Sequence, residues 1–125
     1  MLAELYIENI AVIEKAGITF APRFNVLTGE TGAGKSIVID AINAILGERI
    51  SREIIRSGTH SAFVSAVFQE ISASIAAKLQ ELGYTPEPDG SLLIQREIRD
   101  DGKGSCKING RPATVSVLKE FGANL

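Results

Sequence analysis

The sequence has few of the features that mark secreted and membrane proteins. Its one cysteine, Cys106, excludes a disulfide framework within the chain and is typical of a reducing compartment. Asp40 and Asn43 interrupt the longest apolar run, which falls short of the roughly 18 residues that a membrane-spanning helix requires. Near the first residue, Glu4 and Glu8 stand where a signal peptide would carry positive charge. We therefore predict a cytoplasmic protein that has no membrane partner.

The sequence also lacks an excess of charge. With 13 lysines and arginines against 15 acidic residues, the net charge is −2, so the whole chain does not have the basic character of a nucleic-acid-binding protein. Its basic residues are densest around a predicted hairpin: Arg96, Arg99, Lys103, Lys107 and Arg111. Because Glu97, Asp100 and Asp101 lie among them, a solvated hairpin is favoured over a surface that binds a phosphate backbone. The single histidine, His60, has no companion at metal-ligand spacing, and we predict no metal site there.

What the sequence does contain is the mixture of strands and helices of an α/β domain. Residues 24–28 form a short apolar strand that runs into a glycine-rich loop, and residues 35–46 form a helix. This helix is apolar nearly all round, so we expect it to be buried against a sheet, and we expect Gly47 to end it. The other predicted strands are 2–8, 17–20, 61–69, 92–99 and 105–108, and the other predicted helices are 74–82 and 115–121. In the third strand of this list, Phe63 and Val67 are expected to face the core.

The glycine-rich loop is the feature that carries chemistry. It matches the phosphate-loop pattern of two glycines five positions apart followed by lysine and serine, and it consists of Gly29, Glu30, Thr31, Gly32, Ala33, Gly34, Lys35 and Ser36. Glycines allow successive backbone N–H groups to point at one anion, and the helix that starts there adds its positive N-terminal dipole. Lys35 can reach the β- and γ-phosphates, and the hydroxyl of Ser36 can bind Mg²⁺. With a strand before it and a helix after it, the loop predicts a site for ATP and Mg²⁺.

The rest of a catalytic site is missing from the sequence. There is no Asn-Lys-x-Asp run with which a GTPase would recognise guanine, and no apolar strand ends in adjacent acidic residues for a second magnesium ligand. Asp100 and Asp101 precede Gly102 in an expected surface turn, so we predict no catalytic role for them. A small-molecule kinase would need a lid and an acceptor site that the sequence does not offer. Because an α/β nucleotide domain also needs more parallel strands, we expect this sequence to be the N-terminal piece of a longer protein.

Beyond the loop, the sequence resembles the ATPase heads of SMC and ABC-type chromosome and repair proteins. In those heads a strand with the pattern L-x-I-x-N opens an antiparallel pair and the phosphate loop follows it, as in "LYIENIAVIEKAGITFAPRFNVLTGETGAGKS". Glu30 and Thr31 stand where SMC heads usually have Pro-Asn, and "LTGETGAGKSIVIDAI" is most similar to the RecN family of bacterial DNA-repair proteins. The segments "IIRSG", "AVFQ" and "REIRDDGKGSCKINGRPATVSVLKEFG" are also similar to that family, so the resemblance covers essentially the whole chain.

This resemblance implies a fold and a distribution of the catalytic groups between two halves of the head. The fold is an α/β P-loop NTPase, and residues 1–125 would form the N-terminal lobe of an ABC/SMC-type ATPase head, with its antiparallel β subdomain. A coiled coil and a C-terminal half-head would follow, and that half would carry the signature motif, the acidic magnesium strand and the catalytic glutamate. ATP would be hydrolysed only between two complete heads, so the parent would be an ATPase while the N-terminal half alone should be essentially inactive.

The resemblance also implies a role and partners. A protein of this family would act in DNA double-strand-break repair and recombination, in the cytoplasm and associated with the nucleoid. Its partners would be DNA, contacted through the full-length protein, the chain's own C-terminal half-head, and a second head in a homodimer. The loop alone allows a different interpretation, a stand-alone P-loop module that binds nucleotide without turnover.

Two residues outside the loop are candidates for the same site. Arg56 lies 21 residues after Lys35, in "IIRSG", where SMC heads carry an arginine-bearing loop near the nucleotide. Its guanidinium could neutralise phosphate charge or sense DNA, but a solvated loop arginine beside Arg49 and Arg52 would have the same sequence. Asn9 would lie near the nucleotide in such heads, although asparagine is equally a turn-forming residue.

Overall fold

The computed structural model of the protein describes residues 2–19, 32–84 and 89–122, and in the first helix it describes side chains from Ser36 onward. The described strands are β1 Leu2–Ile10, β2 Ile13–Thr19, β3 Ser61–Phe68, β4 Leu92–Arg99, β5 Ser105–Ile108 and β6 Arg111–Ala113. The described helices are α1 Gly32–Ile45, α2 Ala73–Glu81 and α3 Val115–Gly122, with a 3₁₀ turn at Arg52–Ile54. Of these helices, none has the length and apolar character that crossing a membrane would require.

The described strands belong to one sheet in the order β2-β1-β3-β4-β5-β6. Every neighbouring pair is antiparallel. Tight hairpins join β1 to β2, β4 to β5 and β5 to β6, whereas α1 and the segment after it lie between β2 and β3 in the sequence. The sheet therefore confirms the antiparallel β subdomain that the sequence predicted.

One face of this sheet carries the core. Its buried residues on β1, β3 and β4 are Ala3, Leu5, Ile7, Ala62, Val64, Ala66, Phe68, Leu92, Ile94 and Ile98. All of them except Ala3 pack in one cluster with buried side chains of the three helices: Ile37, Val38, Ala41, Ala44, Ile45, Ile75, Leu79, Leu118 and Phe121. Because side chains alternate along a strand, the helices all lie on this face and the other face is left to more polar residues.

The prediction that Phe63 and Val67 face the core is wrong. Both are only partly buried, whereas the residues that alternate with them, Ala62, Val64, Ala66 and Phe68, are buried. In "SAFVSAVF" both alternating sets contain apolar residues, so hydrophobicity alone does not choose a face. The pairing with β1 determines which face of β3 is buried, because Val64 lies opposite the fully buried Ile7. On the other face, the rings of Phe63 and Tyr6 pack with their centroids 6.2 Å apart.

α1 buries one side against the sheet and leaves another side uncovered. The buried set is Ile37, Val38, Ala41, Ala44 and Ile45, and the helix contacts β3 and β4. Ile39, in contrast, is 57% exposed. The expectation that this helix is buried against a sheet is therefore confirmed for one side of the described helix, and the exposed Ile39 shows that the sheet does not cover all of its apolar surface.

Gly47 ends α1, as predicted. Its φ is +86°, and the N–H groups of Gly47 and Glu48 donate to the carbonyls of Ala44 and Asn43 at 3.2 and 3.0 Å. These two bonds form a Schellman motif, which satisfies helix carbonyls that have no partner within the helix. A Cβ on Gly47 would lie 2.6 Å from the backbone nitrogen of Lys119 in α3. Glycine is therefore required here both by the backbone angle and by the close approach of α3.

Asn109 and Gly110 form the tight turn that joins β5 to β6. Both residues have positive φ, +49° and +84°, as the two central positions of a type I′ hairpin turn require. The side-chain oxygen of Asn109 accepts a hydrogen bond from the N–H of Leu93 at 2.8 Å. The turn is thereby tied to β4, which fixes the register of the last hairpin.

Candidate functional site

The phosphate-loop motif runs into the N-terminus of α1. The helix begins at Gly32 rather than at residue 35, so the second half of the motif is helical. Its first turn contains no acidic residue, so no carboxylate there competes for the N–H groups and the positive end of the helix dipole. The predicted strand 24–28, residues 29–31 and the side chains of residues 32–35 lie outside the described part of the chain.

Ser36 is the first motif residue whose side chain is described, and it is exposed. The next two residues, Ile37 and Val38, are each 7% exposed and belong to the core cluster. An exposed hydroxyl thus comes directly before the apolar pair that holds the helix on the sheet. This arrangement fits a Mg²⁺-bound nucleotide, since the motif requires its serine hydroxyl to be accessible to the metal.

A segment that follows α1 holds the tip of the β1–β2 hairpin. At this tip Asn9 and Ala11 both have left-handed backbone angles, with φ of +57° and +50°. The N–H of Ala11 donates to the carbonyl of Ile54 at 2.7 Å, and the N–H of Arg56 donates to the carbonyl of Asn9 at 2.8 Å. Asn9 thus lies within β1, just before the turn at Ala11 and Val12, in a left-handed conformation that asparagine tolerates, and its place beside a nucleotide stays a prediction.

The side chain of Arg56 belongs to the same unit. Its Nη1 donates to the carbonyl of Val12 at 2.8 Å. Its own carbonyl accepts hydrogen bonds from the N–H and Oγ1 of Thr59 at 3.1 and 2.7 Å. Arg56 thus has a fixed backbone partner, a structural role that none of the sequence-based alternatives included. The bonded partner is an uncharged carbonyl, so the guanidinium keeps its net charge.

Asp100 and Asp101 lie in an exposed turn between β4 and β5, as predicted. An Oδ of Asp100 lies 2.9 Å from Nδ1 of His60, on the surface. A hydrogen bond from the backbone N–H of Lys103 is the main reason why the pKa of the Asp101 carboxyl is lowered. Among the described residues, no group of three or more histidines, cysteines and acidic residues could hold a metal ion. The contacts of Asp100 and Asp101 stabilise the surface turn between β4 and β5.

The five basic residues of this region do not form one surface. Nη2 of Arg99 lies 3.4 Å from Asp101, and Nη1 of Arg111 donates to the carbonyl of Gly83 at 2.6 Å. The two lysines are exposed. For these four residues the structure agrees with a solvated hairpin, and Arg96 is the exception.

Arg96 lies on the helix-facing side of β4, in the same alternating set as Leu92, Ile94 and Ile98. Its Nη1 donates to the carbonyls of Ala44 and Glu48, both at 2.8 Å. Burial lowers the pKa of the Arg96 guanidinium and raises the pKa of the Cys106 thiol, which lies opposite it on β5. This contact was not predicted from the sequence, although the position of Arg96 among three buried aliphatic residues was visible in the strand pattern.

Comparison with known proteins places these features in a family. A family model described as the RecF/RecN/SMC N terminal domain matches residues 1–124. The curated DNA repair protein RecN of Halalkalibacterium halodurans is 42% identical over an alignment of 126 positions, which covers 100% of this chain and 22% of that protein. The chain therefore spans about a fifth of the length of that relative.

Solved structures share the fold. One, from work on ATP-driven dimerization and DNA-stimulated activation of SMC ATPases, superposes with a TM-score of 0.71 at 27% identity. That match covers 95% of this chain and 75% of the other. The SMC head domain from Thermotoga maritima, at 24% identity, gives a TM-score of 0.70 over 96% of this chain and 41% of that one.

Proposed function

The chain belongs to the family of RecF/RecN/SMC N-terminal domains, and from this premise we propose that it is the ATP-binding N-terminal half of a RecN-like ATPase head. The full-length protein acts in DNA double-strand-break repair and recombination, in the cytoplasm and in association with the nucleoid. It contacts DNA through surfaces that the whole molecule forms. The cofactors of the head are ATP and Mg²⁺.

The observation that carries this proposal is the start of α1 inside the phosphate-loop motif. The helix begins at Gly32, and within two turns Ile37 and Val38 bury themselves in the core. A helix N-terminus that is fixed in this way holds its N–H groups at one place, which is what binding a phosphate group requires. The support therefore comes from the helix start and its anchoring, together with the motif itself.

The roles follow from the chemistry of each residue type. The backbone N–H groups of the loop, Gly29, Glu30, Thr31, Gly32, Ala33 and Gly34, surround the phosphates. Lys35 contacts the β- and γ-phosphates, and Ser36, whose side chain is exposed, holds Mg²⁺. When bound, Mg²⁺ neutralises part of the phosphate charge.

Arg56 and Asn9 form a second, weaker part of the proposal. They belong to one hydrogen-bonded unit, since the N–H of Arg56 donates to the carbonyl of Asn9 and its guanidinium donates to the carbonyl of Val12. A guanidinium that is held by a neutral group keeps a full charge in a fixed place, as a phosphate-neutralising arginine needs. We propose that Arg56 contributes such a charge to the nucleotide site.

The remaining groups for hydrolysis come from the part of the protein that relatives have beyond this region, and from a second head in a homodimer. The chain spans 22% of the length of its RecN relative. On α1, the 57% exposed Ile39 is an apolar residue that the described sheet and helices do not cover. We propose that the C-terminal half-head covers this side of α1, and that the 125-residue chain alone hydrolyses ATP only at background level.

Titration with ATP and Mg²⁺ tests the binding part of the proposal. Replacing Lys35 with alanine should weaken binding by roughly 10- to 100-fold, because a charge-assisted contact worth about 1.5–3 kcal/mol is lost. The matched control is Lys107→Ala, which removes an exposed lysine from β5 and should leave the affinity within about twofold, as expected for a residue outside the site. An unchanged affinity in Lys35→Ala would show that the assigned phosphate contact is wrong.

A turnover experiment tests the division between halves. The chain alone should bind ATP without hydrolysing it, and addition of the C-terminal half should restore hydrolysis. Robust turnover by the chain alone would contradict the split site. Binding that never leads to turnover, even with the C-terminal half present, would instead favour a stand-alone nucleotide-binding module.

A further inference from the structure

Arg96 is a half-buried charged residue on the face of β4 that carries the core. It lies between the strand positions of Ile94 and Ile98, which are 0% and 6% exposed, and its register partners are the buried Val64 and Cys106. Placing a guanidinium there has a large desolvation cost unless its N–H groups find acceptors. The position is therefore informative, because an aliphatic residue would satisfy the packing of this face equally well.

The acceptors that Arg96 finds are two carbonyls at the C-terminal end of α1. Nη1 donates to Ala44 in the last turn and to Glu48 just beyond the helix, each at 2.8 Å. Carbonyls at a helix C-terminus carry the negative end of the helix dipole, so a cation is favoured there, and the Ala44 carbonyl accepts from Arg96 as well as from the N–H of Gly47. Arg96 is thus a C-terminal cap that reaches α1 from the sheet.

The same helix begins at Gly32 in the phosphate-loop motif. At about 1.5 Å per residue, its two ends are roughly 20 Å apart, and a rigid helix transmits a tilt at one end to the other. The buried side chains of α1 hold the helix on the sheet, and the hydrogen bonds to Arg96 add directional contacts that fix the orientation of its C-terminal end. A change at this end of the helix is therefore expected to shift Gly32 at the other end.

We propose that Arg96 is a positioning residue for nucleotide binding, which holds the C-terminal end of α1 so that Gly32, where the helix begins, keeps a fixed place relative to the sheet. This inference rests on the proposed function, since it assumes that the N-terminal end of α1 binds a nucleotide. It adds a residue that contacts neither nucleotide nor metal and acts through the helix.

Arg111 provides a matched control. It makes the same kind of contact, with Nη1 donating at 2.6 Å to the carbonyl of Gly83, directly after α2. α2 carries no phosphate-binding motif, so the loss of this bond should affect stability without affecting nucleotide affinity. Comparing variants of the two arginines thus distinguishes the effect of capping a helix from the effect of positioning the nucleotide site.

The first test measures the affinity of the full-length protein for ATP and Mg²⁺ in Arg96→Met, Arg96→Lys and Arg111→Met, each checked for cooperative melting. Arg96→Met should weaken binding roughly tenfold, the equivalent of about 1.4 kcal/mol. Arg96→Lys should recover part of this loss, because an ammonium can still donate to one carbonyl, and Arg111→Met should stay within about twofold of the unchanged protein. A folded Arg96→Met protein that binds as tightly as Arg111→Met would overturn the inference.

A second measurement needs no variant, so it tests the inference even if Arg96→Met does not fold. Coupling between two sites is reciprocal, so nucleotide binding should slow hydrogen exchange of the amides of Gly47 and Glu48 at the far end of α1. Unchanged exchange there at saturating ATP and Mg²⁺ would overturn the inference while leaving the proposed function intact. If the unchanged protein binds no ATP, the proposed function fails first, and this inference fails with it.

Discussion

The C-terminal end of α1 is held by several specific contacts, whereas its N-terminal end is rich in small residues and carries the phosphate-loop motif. At the closed end, residues 43–48, a Schellman motif, the Arg96 cap and the backbone of α3 converge. At the open end, Gly32–Ser36, the helix starts with glycine and leaves Ser36 exposed. One helix thus combines an end held by packing with an end that carries the phosphate-loop motif.

This difference shows how a short chain can hold a binding loop in place. A glycine-rich loop has a high conformational entropy and cannot position itself, so the order must come from the element to which it is attached. α1 receives that order from the sheet through its buried side and from Arg96 and α3 at the closed end. The closed end should therefore be sensitive to mutation through stability and the open end through binding.

The largest loss of stability at the closed end is expected from a substitution of Gly47. In Gly47→Ala, the new Cβ would meet the backbone of α3 at 2.6 Å, and alanine would be forced to keep φ near +86°. Backbone strain and overpacking each cost about 1–3 kcal/mol, so we expect the free energy of unfolding to fall by about 4 kcal/mol in denaturant titrations.

Gly58→Ala is the control for this prediction. Gly58 has nearly the same backbone angle, φ +88°, but a Cβ at this position would meet no atom within 4 Å, so only the backbone strain remains. We expect a loss of about 1 kcal/mol. Equal losses at the two glycines would mean that α3 does not close this end of the helix.

The sequence predicted the closed end only in part. Gly47 and the turn at Asn109 were visible because a helix stop and a two-residue hairpin turn depend on local backbone angles. The burial of Val64 rather than Phe63, and the contact between Arg96 and Ala44, depend on which strands pair and on what packs above them. Such long-range pairings have no local signature in one sequence. The alternation in β3 and β4 was therefore visible, but the sequence did not show which alternating set is buried or what Arg96 contacts.

A second pair of variants compares the two sides of α1. Ile45 is 1% exposed and Ile39 is 57% exposed on the same helix. Replacing Ile45 with alanine should reduce the free energy of unfolding by about 3 kcal/mol through lost burial and a cavity, whereas Ile39→Ala should change it by less than about 0.5 kcal/mol in the 125-residue chain.

The same pair also tests what covers Ile39. In the presence of the C-terminal half, Ile39→Ala should weaken association between the halves, which analytical ultracentrifugation would measure. If association is unaffected by Ile39→Ala, then the proposed docking of the C-terminal half on this side of α1 is incorrect. The result leaves the ATP-binding part of the proposal untouched.

The smallest expected effect concerns how far water is excluded near the closed end, which the pKa of the Cys106 thiol reports. Burial raises the pKa of the Cys106 thiol, and this outweighs the attraction of the neighbouring Arg96, which acts in the opposite direction. Because the folded-state pKa is the higher one, the unfolded chain loses its thiol proton first as the pH rises above about 8.5. Stability should therefore fall with pH in this range, by at most one proton, or about 1.4 kcal/mol per pH unit.

Denaturant titrations from pH 7 to 11 on the unchanged chain and on Cys106→Ala would measure this slope. The variant should lose the decline that begins near the ordinary pKa of cysteine, about 8.5. A decline that starts near pH 10 should remain, because the pKa of Tyr6, on the other face of the sheet, is also raised by burial and by its hydrogen bond to Glu8. If both proteins show the same decline below pH 10, water reaches the thiol freely. The closed end would then be as accessible as the open one, and the contrast between the two ends of α1 would rest on Gly47 and Arg96 alone.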